Sequence, residues 1–207
     1  MAIQEVASPI DLRNPQDAAL WASEANEKRP WRYEFFNYYS RLINNLNIQP
    51  ICVLELGSGP GFLAQYLLEK CENIDYSALD FSEAMHELSR SKLSAQQLEK
   101  TTFYVADFKT TTWADHLPQY DVIIIHQALH ELRHKSYALN FHCQVRKLLK
   151  PTAIYLVCDH IFAPHAMQNH DLYMSTQEHV QSLKSAGFKD IDLVMQKESL
   201  CLFECKA

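Results

Sequence analysis

The chain has 207 residues, 47% of them apolar and 21% charged, with 19 basic against 25 acidic side chains and a net charge of −6. That length fits a single domain with an ample core, and the acidic balance argues against a general nucleic-acid binder. No apolar run approaches the roughly 20 residues that span a bilayer.

Residues 1–50 carry no strand signal. Their start has neither a basic segment nor an apolar core, so no secretory signal is read there. Trp21, Trp31, Tyr33, Phe35, Phe36, Tyr38 and Tyr39 crowd the middle of this stretch. The pattern predicts a helix over 31–44 and an N-terminal helical cap that belongs to the same domain as residues 51–207. From residue 51 strands and helices alternate. Strands are predicted at 51–56, 75–80, 102–106, 120–126, 153–158, 191–196 and 199–205. Several are unbroken apolar runs, as expected of parallel strands covered on both faces. Helices are predicted at 62–69, 82–92 with Ser82 as N-cap, 135–149 ending before Pro151, and 176–186. The last opens on a Ser175/Glu178 capping box and stops at Gly187. The final two strands are separated by two residues only, which forces an antiparallel hairpin. The fold class is therefore α/β: a doubly wound, mostly parallel seven-stranded sheet with a C-terminal antiparallel hairpin and an N-terminal helical extension.

The chain holds four glycines, against roughly fourteen at ordinary usage. Gly57, Gly59 and Gly61 fall within five residues, directly after the first strand and before a helix. That is where α/β sheets bind ligands: glycines let backbone N–H groups come close, and a helix begins there. A dinucleotide loop reads G-x-G-x-x-G, but the third glycine here comes one residue early and Phe62 fills the expected slot. No Gly-Lys-Ser/Thr follows, which excludes a phosphate-binding P-loop. Six cysteines, at 52, 71, 143, 158, 201 and 205, form no C-x-x-C pair and read as small buried apolar residues. A reduced, cytoplasmic setting is the simplest reading.

The segment VLELGSGPG, with the acidic residues that follow, resembles the class I S-adenosylmethionine-dependent methyltransferases of small-molecule type, over residues 51–207. Glu55, Gly57, Gly59 and Gly61 match the first motif, Asp80 the acidic end of strand two, and Asp107 the acidic end of strand three. The resemblance implies a cofactor site of Glu55, Gly57, Ser58, Gly59, Gly61, Asp80, Phe81, Asp107, Phe108 and His126. In it Asp80 takes the ribose hydroxyls, Phe81 packs on the adenine and Asp107 accepts from its amino group. The plainer readings are Asp80 as a cap at Ser82 and Asp107 as a turn residue.

In HQALHELRH, His130 sits in a stretch similar to the one that carries the histidine base of plant-type O-methyltransferases. A base adds about 10²–10⁴-fold for an acidic acceptor. Trp31, Tyr38, Tyr39 and His160 are candidate substrate contacts, facing an insertion at 161–175 read as a lid. His126, His130 and His134 recur every four residues, but a hard cation wants oxygen ligands there, and no metal is assigned. The expectation is methyl transfer from S-adenosylmethionine to a small-molecule acceptor, at oxygen or nitrogen first and carbon after them, without nucleic acid or membrane. The alternatives are a cofactor-binding partner without turnover and a nicotinamide dehydrogenase.

Overall fold

The computed structural model describes residues 3–206; the outermost residues of the two predicted ranges, 1–2 and 207, lie outside it. The described chain divides into two units, one of residues 9–106, the other of residues 3–8 with 107–206.

In the first unit, α1 (Pro15–Lys28) and α2 (Arg32–Asn44) precede β1 (Ile51–Leu56), α3 (Phe62–Lys70), β2 (Ile74–Asp80), α4 (Glu83–Lys92), α5 (Ala95–Glu99) and β3 (Thr101–Val105). The strands pair in parallel in the order β3-β2-β1. Their core is Val53, Leu54, Leu56, Ala78 and Leu79, with Phe35, Phe36 and Ile43 of α2 and Leu67 of α3, all wholly buried. Two helices were not expected from the sequence. α1 buries Ala18, Ala22 and Ala25, so its core face is made of small residues and shows no stripe of large apolar side chains. Its start is nonetheless well formed, with Asn14 accepting from the amides of Gln16 and Asp17, and Pro15 opening the first turn. α5 spans five residues, too few to show a period, and rests on a Ser94/Gln97 capping box.

In the second unit, β4 (Tyr120–His126), α6 (Ala138–Lys147), β5 (Leu149–His160), α7 (Thr176–Ser185), β6 (Ile191–Lys197) and β7 (Leu200–Lys206) follow in turn. β4 and β5 are parallel; β7 runs antiparallel to both β5 and β6, giving the order β4-β5-β7-β6. Parallel strands, the antiparallel hairpin β6–β7 and the helices between them are those of the α/β class anticipated above. Val122 to Ile125, Tyr155 to Cys158 and Leu200 to Phe203 have no exposed surface, which accounts for their unbroken apolar sequences.

Several boundaries differ from expectation. The helix over 135–149 is a 3-10 turn at Lys135–Tyr137 followed by α6, and β5 already begins at Leu149. Pro151 therefore lies in a strand. A register shift between Tyr120 and Val122 takes up the extra residues opposite, as a bulge does. The hairpin turn is Glu198–Ser199, one residue later than read, with Glu198 in the left-handed region at φ 51°. α7 ends at Ser185, one residue short of the predicted end, and Gly187 caps it as expected: at φ 97° it donates to the Lys184 carbonyl and Phe188 to that of Leu183, the paired bonds of a Schellman cap.

Candidate active site

The first unit holds the glycine loop. β1 delivers the chain to Gly57, Gly59 and Gly61, at φ 70°, 54° and 81°, a backbone that side-chain-bearing residues rarely adopt. The amides of Gly57 and Ser58 donate to the Leu79 carbonyl at 2.8 and 3.0 Å, fixing the loop to the end of β2. Asp80 braces it from β2: its Oδ2 accepts from the Gly59 amide at 2.8 Å and its Oδ1 from the Ser82 amide at 2.9 Å. The capping role weighed for Asp80 is thus present alongside a loop-binding one. Ser82 in turn caps α4 by accepting from the Met85 amide. A Cβ on Gly61 would fall 2.2 Å from the Ser89 hydroxyl, so this glycine is demanded by packing; one on Gly59 would meet nothing within 4 Å. The backbone at Gly59 is open to a ligand.

Glu55, next to last in β1, has 4% of its surface exposed and accepts the Tyr76 hydroxyl at 2.6 Å. Burial drives its carboxyl up to about 8, helped by the Asp80 charge and opposed by the Tyr76 hydrogen bond and by Arg32. Without a cationic ligand the group is thus largely neutral at pH 7. Ser58 is buried, its hydroxyl 3.4 Å from Nε2 of the buried His86. One face of Phe81 is covered by the Arg13 guanidinium, 4.5 Å from the ring centre. Tyr39 is wholly buried, while Trp31 and Tyr38 are half-buried.

The second unit holds the remaining candidates. Asp107 shapes a turn, its Oδ1 accepting from the Lys109 amide at 3.0 Å, and the buried Phe108 packs edge-on to Phe141. His126 closes β4, 6% exposed. The register pairs His126 with Cys158, so the next residue of β5, Asp159, stands at the strand end from which the His130 segment departs.

That segment is a 3-10 turn, Leu129–Leu132, bracketed by two non-glycine residues in the left-handed region, Gln127 at φ 57° and Arg133 at φ 63°. Such strain gathers at functional sites. Asp159 takes His130 at two points, Oδ1 at 2.7 Å from Nδ1 and Oδ2 at 2.7 Å from the backbone amide. Nε2 of His130 lies 3.4 Å from Glu131 Oε1. Burial opposes the protonated ring, but the Asp159 charge and hydrogen bond, with Glu131, outweigh it and hold His130 above the ordinary histidine value, against Arg133. Burial would raise Asp159, yet His130 and His160 pull it down to about 2. His160 is held by the Ser199 hydroxyl at 2.6 Å and by Gln127 at 3.2 Å. Tyr173, from the insertion, lies 5.5 Å from the His130 ring. The cavity beside these groups has a volume of about 10 Å³, room for roughly one water.

Of the three histidines spaced by four, His126 ends a strand, His130 lies in the 3-10 turn and His134 caps the next turn. They share no helix face. No cluster of metal-ligating side chains occurs among the described residues. Asp159 as the partner of His130, and Glu131 and Arg133 around it, were not singled out from the sequence. Asp159 was readable, since parallel neighbours bring their carboxyl ends together; Arg133 was not, because its partners are distant in sequence.

Residues 50–204 match a family model described as a methyltransferase domain. A stretch of 123 residues, 56% of the chain, is 26% identical to the non-reducing polyketide synthase prhL of Penicillium brasilianum, and spans only 5% of that protein. The fold is shared with a SAM-dependent methyltransferase from Aquifex aeolicus, at a TM-score of 0.66 and 21% identity, covering 93% of this chain and 97% of that one. Human N-acetylserotonin methyltransferase, solved with SAM, gives a TM-score of 0.69 at 16% identity, covering 94% of this chain and 57% of the other.

Proposed function

The chain belongs to the methyltransferase domain family, with S-adenosylmethionine as its cofactor, and on that premise we propose that it methylates a small-molecule acceptor at oxygen or nitrogen with His130 as general base. The observation that carries this reading is the Asp159–His130 pair. With Nδ1 committed to Asp159 at 2.7 Å, Nε2, with Glu131 beside it at 3.4 Å, is the ring nitrogen left to accept a proton, in a fixed orientation.

The residues of the glycine loop suit the cofactor's chemistry. Glu55 and Asp80 are acceptors matched to an ammonium and to ribose hydroxyls, and the open side of Gly59 admits a ligand to its backbone. Asp107, Phe108 and His126 complete the cofactor set by resemblance. When bound, the cofactor supplies an electrophilic methyl group on a sulfonium. With the cofactor held at the glycine loop, His130 Nε2 would take the proton that the acceptor loses on methylation. Asp159 stabilises the imidazolium that results. Trp31 and Tyr38 in the first unit, and His160 in the second, are each proposed as acceptor contacts, while Tyr39 is wholly buried in α2. A cytoplasmic setting fits this reading, and no helix among the described residues is long and apolar enough to cross a membrane.

The test is calorimetry with S-adenosylmethionine, followed by product detection against a panel of phenols, amines and 1,3-dicarbonyl compounds. A methylated phenol or amine whose formation falls about 10²-fold or more in His130→Gln, with cofactor affinity kept, is the expected result. Unchanged turnover in His130→Gln removes the base. Binding without any methylated product favours the non-catalytic partner, and methylation confined to the dicarbonyl compounds moves the reaction to carbon.

A further inference from the structure

Resting on the reading of His130 as base, we propose that Arg133 is a positioning residue for the methyl transfer: clamped by the carbonyls of Val6 and Ala7, its guanidinium holds Glu131 against the proton-accepting nitrogen of His130. A chain of contacts, all within the second unit, carries the inference. Glu131 Oε1 lies 3.4 Å from His130 Nε2, and Glu131 Oε2 accepts from Arg133 Nη1 at 3.3 Å. Arg133 spends its other donors on the amino-terminal segment, Nε to the Val6 carbonyl at 2.9 Å and Nη2 to that of Ala7 at 2.7 Å. The Val6 amide returns a bond to the Arg133 carbonyl at 2.8 Å.

Ending the 3-10 turn does not explain an arginine. Its backbone is left-handed at φ 63°, where glycine or asparagine costs less. Yet the residue is 7% exposed, and burying a guanidinium is expensive unless its donors are matched. Here two carbonyls and one carboxylate match them, in the fork geometry that lysine lacks. Glu5 and Lys109 pair at 3.1 Å with about two-fifths of each side chain exposed, a contact worth little. Among the contacts of residues 5–7, the anchor is therefore Arg133.

The consequence falls on His130. The Glu131 side chain is 28% exposed and would turn into water unless held. Held, it faces Nε2 and meets the N–H that forms there when the acceptor loses its proton. The other groups around the ring are Asp159 and His160 of β5, Tyr173 of the insertion at 161–175, and Lys135 and His179, which line the same cavity.

The test is an NMR titration of the His130 ring in the full chain, assigned by its loss in His130→Gln, for wild type, Glu131→Gln, Arg133→Met and the double variant. A direct charge effect of Arg133 would appear equally with and without Glu131. Action through Glu131 gives a non-additive midpoint, by about half a pH unit or a threefold change in proton affinity. Additivity overturns the proposal. Arg133→Lys keeps the charge without the fork, and deletion of residues 3–7 keeps both side chains without the clamp. Each is expected to reproduce the Glu131-dependent part of the Arg133→Met shift, and a wild-type midpoint in either overturns the clamp. These two also serve if Arg133→Met fails to fold, which thermal melting reports. The titration needs no acceptor, so loss of the base reading, shown by a fully active His130→Gln, stays distinguishable from loss of this one.

Discussion

Asp159 grips His130 twice, by one carboxylate oxygen on the ring and the other on the backbone amide, both at 2.7 Å. The grip sets tautomer, orientation and proton affinity together. Asp159→Asn is expected to lower turnover by about 10²-fold or more and to move the rising limb of the pH–rate profile to lower pH, because the charge that holds His130 above its ordinary value is gone. Cofactor affinity, measured by calorimetry, should hardly change. A profile that keeps its wild-type midpoint would show that Asp159 does not tune His130.

Glu55 is expected to make cofactor binding pH-dependent. Burial lifts its carboxyl to about 8, so at pH 7 the free protein holds this proton, and a cationic ligand beside it expels it. Affinity for S-adenosylmethionine should therefore rise with pH until about 8 and level off above. Calorimetry in buffers of differing ionisation heat would register the released proton. Because the folded value lies above the unfolded one, Glu55 weakens folding as pH rises from 4.5 to about 8. Glu55→Gln should flatten both trends, raising the melting temperature at pH 8 while weakening cofactor binding.

Gly61 and Gly59 should separate on substitution by alanine. At Gly61 the new Cβ would meet Ser89 at 2.2 Å for the hydroxyl and 2.9 Å for Cα. The α4 backbone cannot yield cheaply, and a loss of about 1–3 kcal/mol is expected from overpacking, with left-handed strain of about 1 kcal/mol added. Gly59→Ala carries the strain alone, since no atom lies within 4 Å, but it fills space through which a ligand would reach the loop. Urea denaturation should rank Gly61→Ala as the less stable, while Gly59→Ala should bind cofactor weakly for its stability. Equal cofactor affinity in Gly59→Ala and wild type would place the ligand elsewhere.

His179 should govern part of the acid limb of stability. It is 1% exposed, stacked on Phe203 with ring centres 5.1 Å apart, and neither ring nitrogen has a hydrogen-bond partner among the described residues. Burial lowers it to about 4, offset by the charges of Asp159 and Glu178. The unfolded chain therefore binds a proton at 6.5 that the folded chain refuses until about 4, and stability falls as pH drops through that window. His179→Phe should flatten the fall, read as melting temperature between pH 7 and 4. An unchanged slope would assign the acid limb to other groups, such as the buried His142.

The alternation of elements, the glycine turn, the Ser175/Glu178 capping box and the terminal hairpin were legible from residue 51 onward, because each rests on local periodicity or on backbone chemistry confined to a few residues. α1 was hidden because an alanine face leaves no large apolar stripe, and the start of β5 because a bulge let Pro151 sit in a strand. Helical spacing also suggested a shared face for His126, His130 and His134 that the chain, leaving β4 through a left-handed Gln127, does not build.

Sequence by itself determined the class of ligand loop: three glycines one residue tighter than a dinucleotide turn, followed by carboxylates at the ends of strands. Only tertiary structure decided which groups act on which. Asp159 meets His130 across 29 positions, and Arg133 meets Val6 across 127. Local patterns can specify the turn a residue occupies, but pairing between distant residues depends on strand order and register, which no short stretch of sequence encodes.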